Sequence, residues 1–486
     1  MSTTTMTTTL AALAAALFAA GCTVAPVYDK PAAPASAAFK ETLPAAEAGR
    51  WKTAEPSEAL ARGEWWSVFD DARLAALEAE AGQANQSLKA GYARLAQARA
   101  LVGVNAAERL PRIDAGAGVT RERPSPASLG LPADADTRGL TLWRAQAGAS
   151  YEVDLFGRVA SSIAAARADE AQSRSLLHSL LLAIQADVAQ HYFAIRGLDA
   201  EIALLDDTVR LREQALQLVS RREQTGEVSE LDTARARTEL SVTRAERVAL
   251  AQQRAGLEHA LAVLLGKAPS ELTLPPAPLA FQPVAIPAGL PSALLERRPD
   301  IAAAERAMAA ANARIGVARA AKFPQLTLTG ALGFESADLG DLFRWSSRTW
   351  LLGPLVGSML SVPVFDGGRN AALEAGARAG YDEAVADYRQ QVLVAFREVE
   401  DGLSGLRLLA EQSREQSQAV DSARRAAQLS ATRYRAGYVN YLEVIDAERS
   451  VLGTQRAATQ IERERALATV ALIRALAGGW GTTPAQ

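Results

Sequence analysis

The sequence predicts a mainly helical chain with a small β part, built from two copies of one unit. Three observations carry this prediction. The chain resembles itself at an offset of about 210 residues. Two long proline-free stretches place apolar residues every seven positions, and short segments between helices shift that spacing to two.

The repeat sets the boundaries. Leu110-Pro111 matches Phe323-Pro324 at an offset of 213, and the Gly226–Asp232 segment matches Gly437–Glu443 at an offset of 211. Leu155-Phe156-Gly157-Arg158 resembles the Val364–Arg369 segment. Each copy reads helix, strand, long loop, strand, very long helix, tight turn, helix. The first copy covers 65–268, with strands at 111–121 and 142–155 and a hairpin tip near 226. The second covers 292–480, with strands at 324–335 and 352–364 and a tip near 437. A linker with seven prolines, 269–291, joins them, and 481–486 forms a tail.

The N-terminus reads as an export signal. Residues 10–20 are apolar and are followed by Gly21-Cys22. The only cysteine of the chain stands where a bacterial lipobox carries its lipid-accepting thiol. Processing would leave 465 residues (486 − 21) with a diacylglyceryl group on Cys22. Thr23, rather than Asp, resembles the lipoproteins that are passed on to an outer membrane. Residues 22–64 then read as an extended arm rich in Ala and Pro.

Composition excludes several classes. A formal charge of −3 gives no basic surplus for nucleic acid, and one cysteine with three histidines is too few for a zinc cluster or a disulfide framework. After residue 22 the longest uncharged apolar run, 349–365, has 17 residues and is broken by Pro354 and Pro363. A polytopic helical membrane protein is therefore excluded, and a β-type one is not.

No proline occurs from Gly157 to Ala268 or from Val364 to Thr483. Val188, Ile195, Ile202, Val209 and Leu216 recur every seven residues, with Leu198, Leu205 and Val219 on a second seam. Val392, Val399 and Leu406 repeat the pattern. Residues 160–224 as a single helix would extend roughly 100 Å.

In the strand segments the polar positions are Arg112 and Asp114, then Arg144, Gln146, Glu152 and Asp154, then Gln325, Thr327 and Thr329. Apolar or small residues alternate with them, and Phe343, Trp345 and Trp350 stand where aromatic girdles belong. Such strands suit a bilayer-spanning barrel with a wet interior. Four strands cannot close on themselves, and an open edge in lipid is costly, so copies of the chain must complete the barrel. Eight strands fill with their own side chains, so a conducting protein favours three or more chains.

The chain resembles the TolC-like outer membrane factors, in particular the NodT/OprM-type lipoproteins of efflux systems. Cys22-x3-Pro26-x-Tyr28-x2-Pro31, Trp65-Trp66, the 261–266 string, Arg297-Arg298-Pro299-Asp300-Ile301, Pro363–Gly368 and Gly478-Gly479-Trp480 carry the resemblance. It implies a homotrimer with a twelve-stranded barrel in the outer membrane, above a periplasmic α-helical barrel. It implies passive conduction, with a periplasmic adaptor and an inner-membrane pump of the RND type as partners. No cofactor is expected beyond the lipid on Cys22.

The resemblance also places a periplasmic gate at Leu442 and Asp446, with Glu443 as a second acid and Arg449 continuing the face. Gly226 and Gly437 would turn the tips, where a positive φ ends a helix cheaply. Val228, Leu231 and Asp232 would contact the adaptor or support the gate. No phosphate loop, GxSxG or HExxH occurs, so catalysis is not expected. The competing readings are a lipid-anchored coiled-coil adaptor without a pore and a type I protein-secretion duct.

Overall fold

The computed structural model describes residues 24–32, 40–41, 64–282, 297–352 and 359–478. The export signal, Cys22, most of the arm, the linker beyond Gln282 and the 481–486 tail lie outside them. In chain order the helices are α1 (Ala72–Ala84), α2 (Gln86–Ala107), α3 (Arg158–Gln224), α4 (Glu230–Leu264), α5 (Pro299–Ala320), α6 (Arg369–Arg435) and α7 (Tyr441–Ala475). The strands are β1 (Arg112–Glu122), β2 (Leu140–Val153), β3 (Gln325–Ser336), β4 (Arg348–Leu352) and β5 (Met359–Ser361). No described helix is long and apolar enough to cross a membrane.

The chain divides into two units. The first comprises 1–32, 94–173 and 303–388 and holds the whole sheet. The strand order is β1-β2-β3-β4, all antiparallel, with β5 also on β3. The register puts Arg112 opposite Ser150, Asp114 opposite Gly148, Arg144 opposite Glu335, and Glu152 opposite Thr327. Directly opposed residues share a face, so Arg112, Asp114, Arg144, Gln146, Glu152, Thr327, Thr329 and Glu335 all lie on one side. Ile113, Val119, Trp143, Tyr151, Leu328, Phe334 and Trp350 lie on the other. Arg144 Nε reaches Glu335 at 2.5 Å, and Arg112 reaches Asp114 at 3.0 Å. Gln325 opens β3 opposite Ser361.

Two expectations need correction here. The fourth segment, expected at 352–364, begins earlier, at Arg348 where the turn at Trp345–Ser347 ends, and is described as β4 and β5, with 353–358 outside the described residues. Asp154 is not a strand residue, because β2 ends at Val153. Its carboxylate accepts the Val159 and Ala160 N–H groups at 3.1 and 2.7 Å, capping the start of α3. Asp366 does the same for α6, accepting from Gly368 and Asn370 at 2.9 Å each.

Below the sheet the helices of this unit form a row. Arg158 joins α3 to Glu108 after α2 at 2.8 Å, and Asp169 joins α3 to Arg314 of α5 at 2.6 Å. Glu374 of α6 takes Arg319 and Lys322 at 2.9 and 2.6 Å. The described arm runs along α5. Val24 N–H bonds Phe156 O at 3.4 Å, Asn312 donates to Pro26 O at 3.0 Å, and Lys30 pairs with Glu305 at 3.0 Å.

The second unit comprises 33–93, 174–302 and 389–486. Its core follows the seven-residue seam: Val188, Ile195, Leu198 and Leu205 of α3 are buried, as are Val392 and Val399 of α6, whereas Leu406 is half-buried and Leu403, four residues after Val399, is buried instead. Leu198 and Leu205 pack with Leu250 of α4 and Leu452 of α7. The start of the linker is fastened by Asp199, which is buried and takes Arg196 at 2.9 Å, Arg254 at 2.5 Å and the Ala277 N–H at 3.2 Å. Arg298, in the Arg297–Ile301 string, binds Asp300 at 2.6 Å, Glu398 at 2.7 Å and Ala475 O at 3.0 Å. That string therefore ties the start of α5 to α6 and α7.

Candidate functional site at the helical hairpin tips

Both tips turn in the same way. Gly226 and Gly437 each have φ of 79°, which only glycine adopts without strain. Past each glycine the next N–H reaches back five residues: Glu227 to Arg222 O at 2.8 Å, Tyr438 to Arg433 O at 3.0 Å. Asn440 caps α7 by accepting the Glu443 N–H at 3.2 Å, whereas Ser229 makes no such bond to α4. Glu443 is exposed in the first turn of α7, where the helix dipole favours an acid.

The two tips pack together. Val219 and Ala236 of the first hairpin are buried with Tyr441, Val444 and Ile445 of the second, and Leu216, Val228 and Tyr434 close the cluster. Val228 thus supports the tip from within. Leu231, by contrast, is 56% exposed. Asp232 sits in the first turn of α4, 3.7 Å from Arg235. The Tyr434 and Tyr441 rings lie 5.6 Å apart, and Arg222 sits 5.4 Å above Tyr434.

Leu442 and Asp446 are exposed on one face of α7, and Arg449 stands beside them. Arg449 approaches Asp446 at 3.5 Å, but its main partner is Glu239 of α4, reached by Nε at 3.1 Å and by Nη2 more closely. Glu239 is buried and also takes Arg212 of α3 at 3.1 Å. Arg212, buried as well, donates to Glu239 O at 2.8 Å and to Thr243. A chain of charges thus runs Arg212, Glu239, Arg449, Asp446 across three helices. Burial pushes the Glu448 carboxyl up, opposed by Arg212 and reinforced by Glu239. Tyr441 is pushed up to about 12 by burial and by the charge of Glu448.

Leu442, Glu443, Asp446 and Arg449, which the resemblance assigns to a gate, come together here. Glu239, Arg212 and Glu448 were not foreseen. A signal for them existed: Arg449, Arg456 and Arg463 are spaced by seven, as are Glu239 and Glu246. The rungs they form are Arg449–Glu239, Arg456–Glu246 at 2.9 Å and Arg463–Glu201 at 3.1 Å.

Two long helical hairpins, together with a small antiparallel sheet that has one polar and one apolar face, define an outer-membrane channel of the TolC-like class. The sequence model of the outer membrane efflux protein family matches residues 77–267 and 290–478, once in each half. Outer membrane protein OprJ of Pseudomonas aeruginosa is 35% identical over 97% of this chain and 96% of its own length. The toluene efflux pump outer membrane protein TtgF of Pseudomonas putida is 33% identical over 99% of each. The solved structure of the outer-membrane channel OprN superposes with a TM-score of 0.83 at 32% identity, covering 94% of this chain and 100% of that one. The chain belongs to the outer membrane efflux protein family. It is the outer-membrane channel of an efflux pump, resides in the outer membrane and extends into the periplasm. Its family consists of channel proteins, not enzymes.

Proposed function

We propose that three copies of the chain close into one passive duct. The observation that carries this reading is the pair of unjoined edges: β1 ends the strand order on one side, and β4 and β5 end it on the other. In lipid such edges leave backbone groups unsatisfied at several kcal/mol each, and pairing between copies removes them. Three chains give a barrel wide enough for a lumen, with the apolar face toward lipid. Arg112, Asp114, Arg144, Gln146, Glu152, Gln325, Thr327 and Thr329 then line the channel.

A diacylglyceryl group on Cys22 anchors the arm. Val24, two residues further on, bonds to Phe156 just past the foot of β2, which is where such a lipid has a leaflet to enter. The hairpin tips, with Gly226, Val228, Leu231, Asp232 and Gly437, meet a periplasmic adaptor, and an inner-membrane pump of the RND type supplies energy and cargo. Leu442 and Asp446 narrow the periplasmic end as rings of three, with Glu443 as a second acid. Like charges held close on the axis attract cations. Arg449, gripped by Glu239, holds this face inward. No cofactor or catalytic step is required.

Two measurements test the reading. Cross-linking of the purified protein should give a trimer, and a water-soluble monomer that needs no detergent would overturn the duct. In planar bilayers, Leu442→Ala with Asp446→Ala should enlarge single-channel conductance several-fold, and unchanged conductance removes the gate assignment.

A further inference from the structure

A cavity of about 500 Å³ lies in the first unit among α2, α3, α5 and α6, within a few turns of the sheet. Its floor is made of small buried residues, Ala98, Ala165 and Ala166, and its rim of Leu101 and Leu373, 58% and 48% exposed. Two polar pairs border it, each satisfied within itself: Ser162 donates to Asn105, and Asp169 pairs with Arg314 at 2.6 Å. The volume falls in the range of small-molecule sites, which combine apolar walls with a few polar groups.

Helix α5 fixes which way the cavity opens. The arm lies on the face of Asn312 and Gly316; a Cβ on Gly316 would come within 2.8 Å of Ala25. At 100° per residue, Arg314, Val317, Ala318 and Ala321, which line the cavity, lie on the opposite face. An arm that carries a lipid belongs on the outer side of a duct, next to the bilayer. The cavity is therefore on the inner side. All four helices of the α2-α3-α5-α6 row contribute to its lining.

We propose that this cavity is a resting site for cargo in the duct wall, taking neutral, mostly apolar molecules of one or two aromatic rings. The inference rests on the duct and anchor reading above. The paired charges of Asp169 and Arg314 present no net charge, and the alanine floor offers a smooth apolar surface to a ring. Affinity should be weak, with Kd on the order of 0.1 mM, which lets a molecule leave again.

Photolabelling tests the site. The full-length protein in lipid nanodiscs is exposed to phenyl trifluoromethyl diazirine, a neutral probe close to toluene in shape, and labelled peptides are mapped. Label should concentrate on 98–105, 162–169 and 314–321 and fall when toluene is added in excess. Ala318→Trp, which fills the cavity, should cut that label roughly tenfold and leave the lipid-facing strand label unchanged. Leu101→Trp, from the facing wall, should do the same. Label at these peptides that neither variant nor toluene reduces would overturn the site. Conductance of the same samples keeps the two readings apart. Conduction without cavity label overturns the site alone, and cavity label without conduction overturns the duct and, with it, the placement in its wall.

Discussion

Helices α3 and α6 have 67 residues each and α4 and α7 have 35 each, and both tips turn at a glycine with φ of 79°. At matched positions, 211 apart, the first tip places Glu230, Arg235 and Thr238, and the second places Tyr441, Asp446 and Arg449. Glu239 likewise corresponds to Ser450. The duplication preserved the backbone because lengths, caps and seams fix it. On the helix that follows the tip it kept Leu442 in the place of Leu231 but put Asp446 and Arg449 where the first copy has Arg235 and Thr238. In the proposed duct, one hairpin carries Leu442 and Asp446 at the narrowing, and the other supplies Glu239, which holds the neighbouring Arg449.

The contrast is open to measurement. Leu442→Ala with Asp446→Ala should raise conductance several-fold, while the matched pair Leu231→Ala with Arg235→Ala should leave it nearly unchanged; equal effects would dissolve the assignment of roles. Glu239→Gln should open the channel part-way, because Arg449 loses its main partner, whereas Ser450→Ala should not.

Stability separates the halves as well. Gly266, with φ of 68°, approaches Ala84 so closely that a Cβ would lie 2.5 Å from its carbonyl oxygen, so Gly266→Ala should cost about 2–4 kcal/mol. The matched position in the second half is Ala477, a buried residue with φ of 70°. There the reverse change, Ala477→Gly, should stabilise by about 1 kcal/mol in thermal unfolding.

Glu78 of α1 is buried and its oxygens have no hydrogen-bond partner among the described residues. Burial raises its pKa to about 9 from 4.5. The folded state therefore holds a proton that the unfolded state releases, so this group's contribution falls as pH rises between those values. Glu78→Gln should raise the free energy of unfolding at pH 8 by about 2–4 kcal/mol and change it little at pH 4. The smallest expected contrast lies at the caps: Asn440→Ala should cost about 1 kcal/mol, and Ser229→Ala close to nothing.

What could be read in the sequence was whatever has a period. The seven-residue seam through Val188, Ile195 and Val392 and the two-residue alternation through Trp143 to Val153 each follow from local geometry. Tip glycines could be read because a positive φ has few other occupants. Asp154 was misplaced for the same reason the strand was found: its position continues the alternation, and only the proximity of the α3 N-terminus reassigns it. The fourth strand was placed late because the segment before it, Trp345–Ser347, gives no alternation to mark its start. Glu239 and Arg212 were missed because their meaning lies in contacts across helices, Arg449 to Glu239 being 210 residues apart. Periodicity shows which face a residue occupies but not which opposing side chain it will find.

The ladder on α7 has a consequence for how the assembly yields to its surroundings. Arg449 is 55% exposed, while Arg463 is 23% exposed and meets a Glu201 that is almost dry at 1%. Dissolved ions reach the lowest rung and scarcely touch the highest. Brine should loosen these helices as a zip fastener opens, from the free end upward, with Glu201 as the stop.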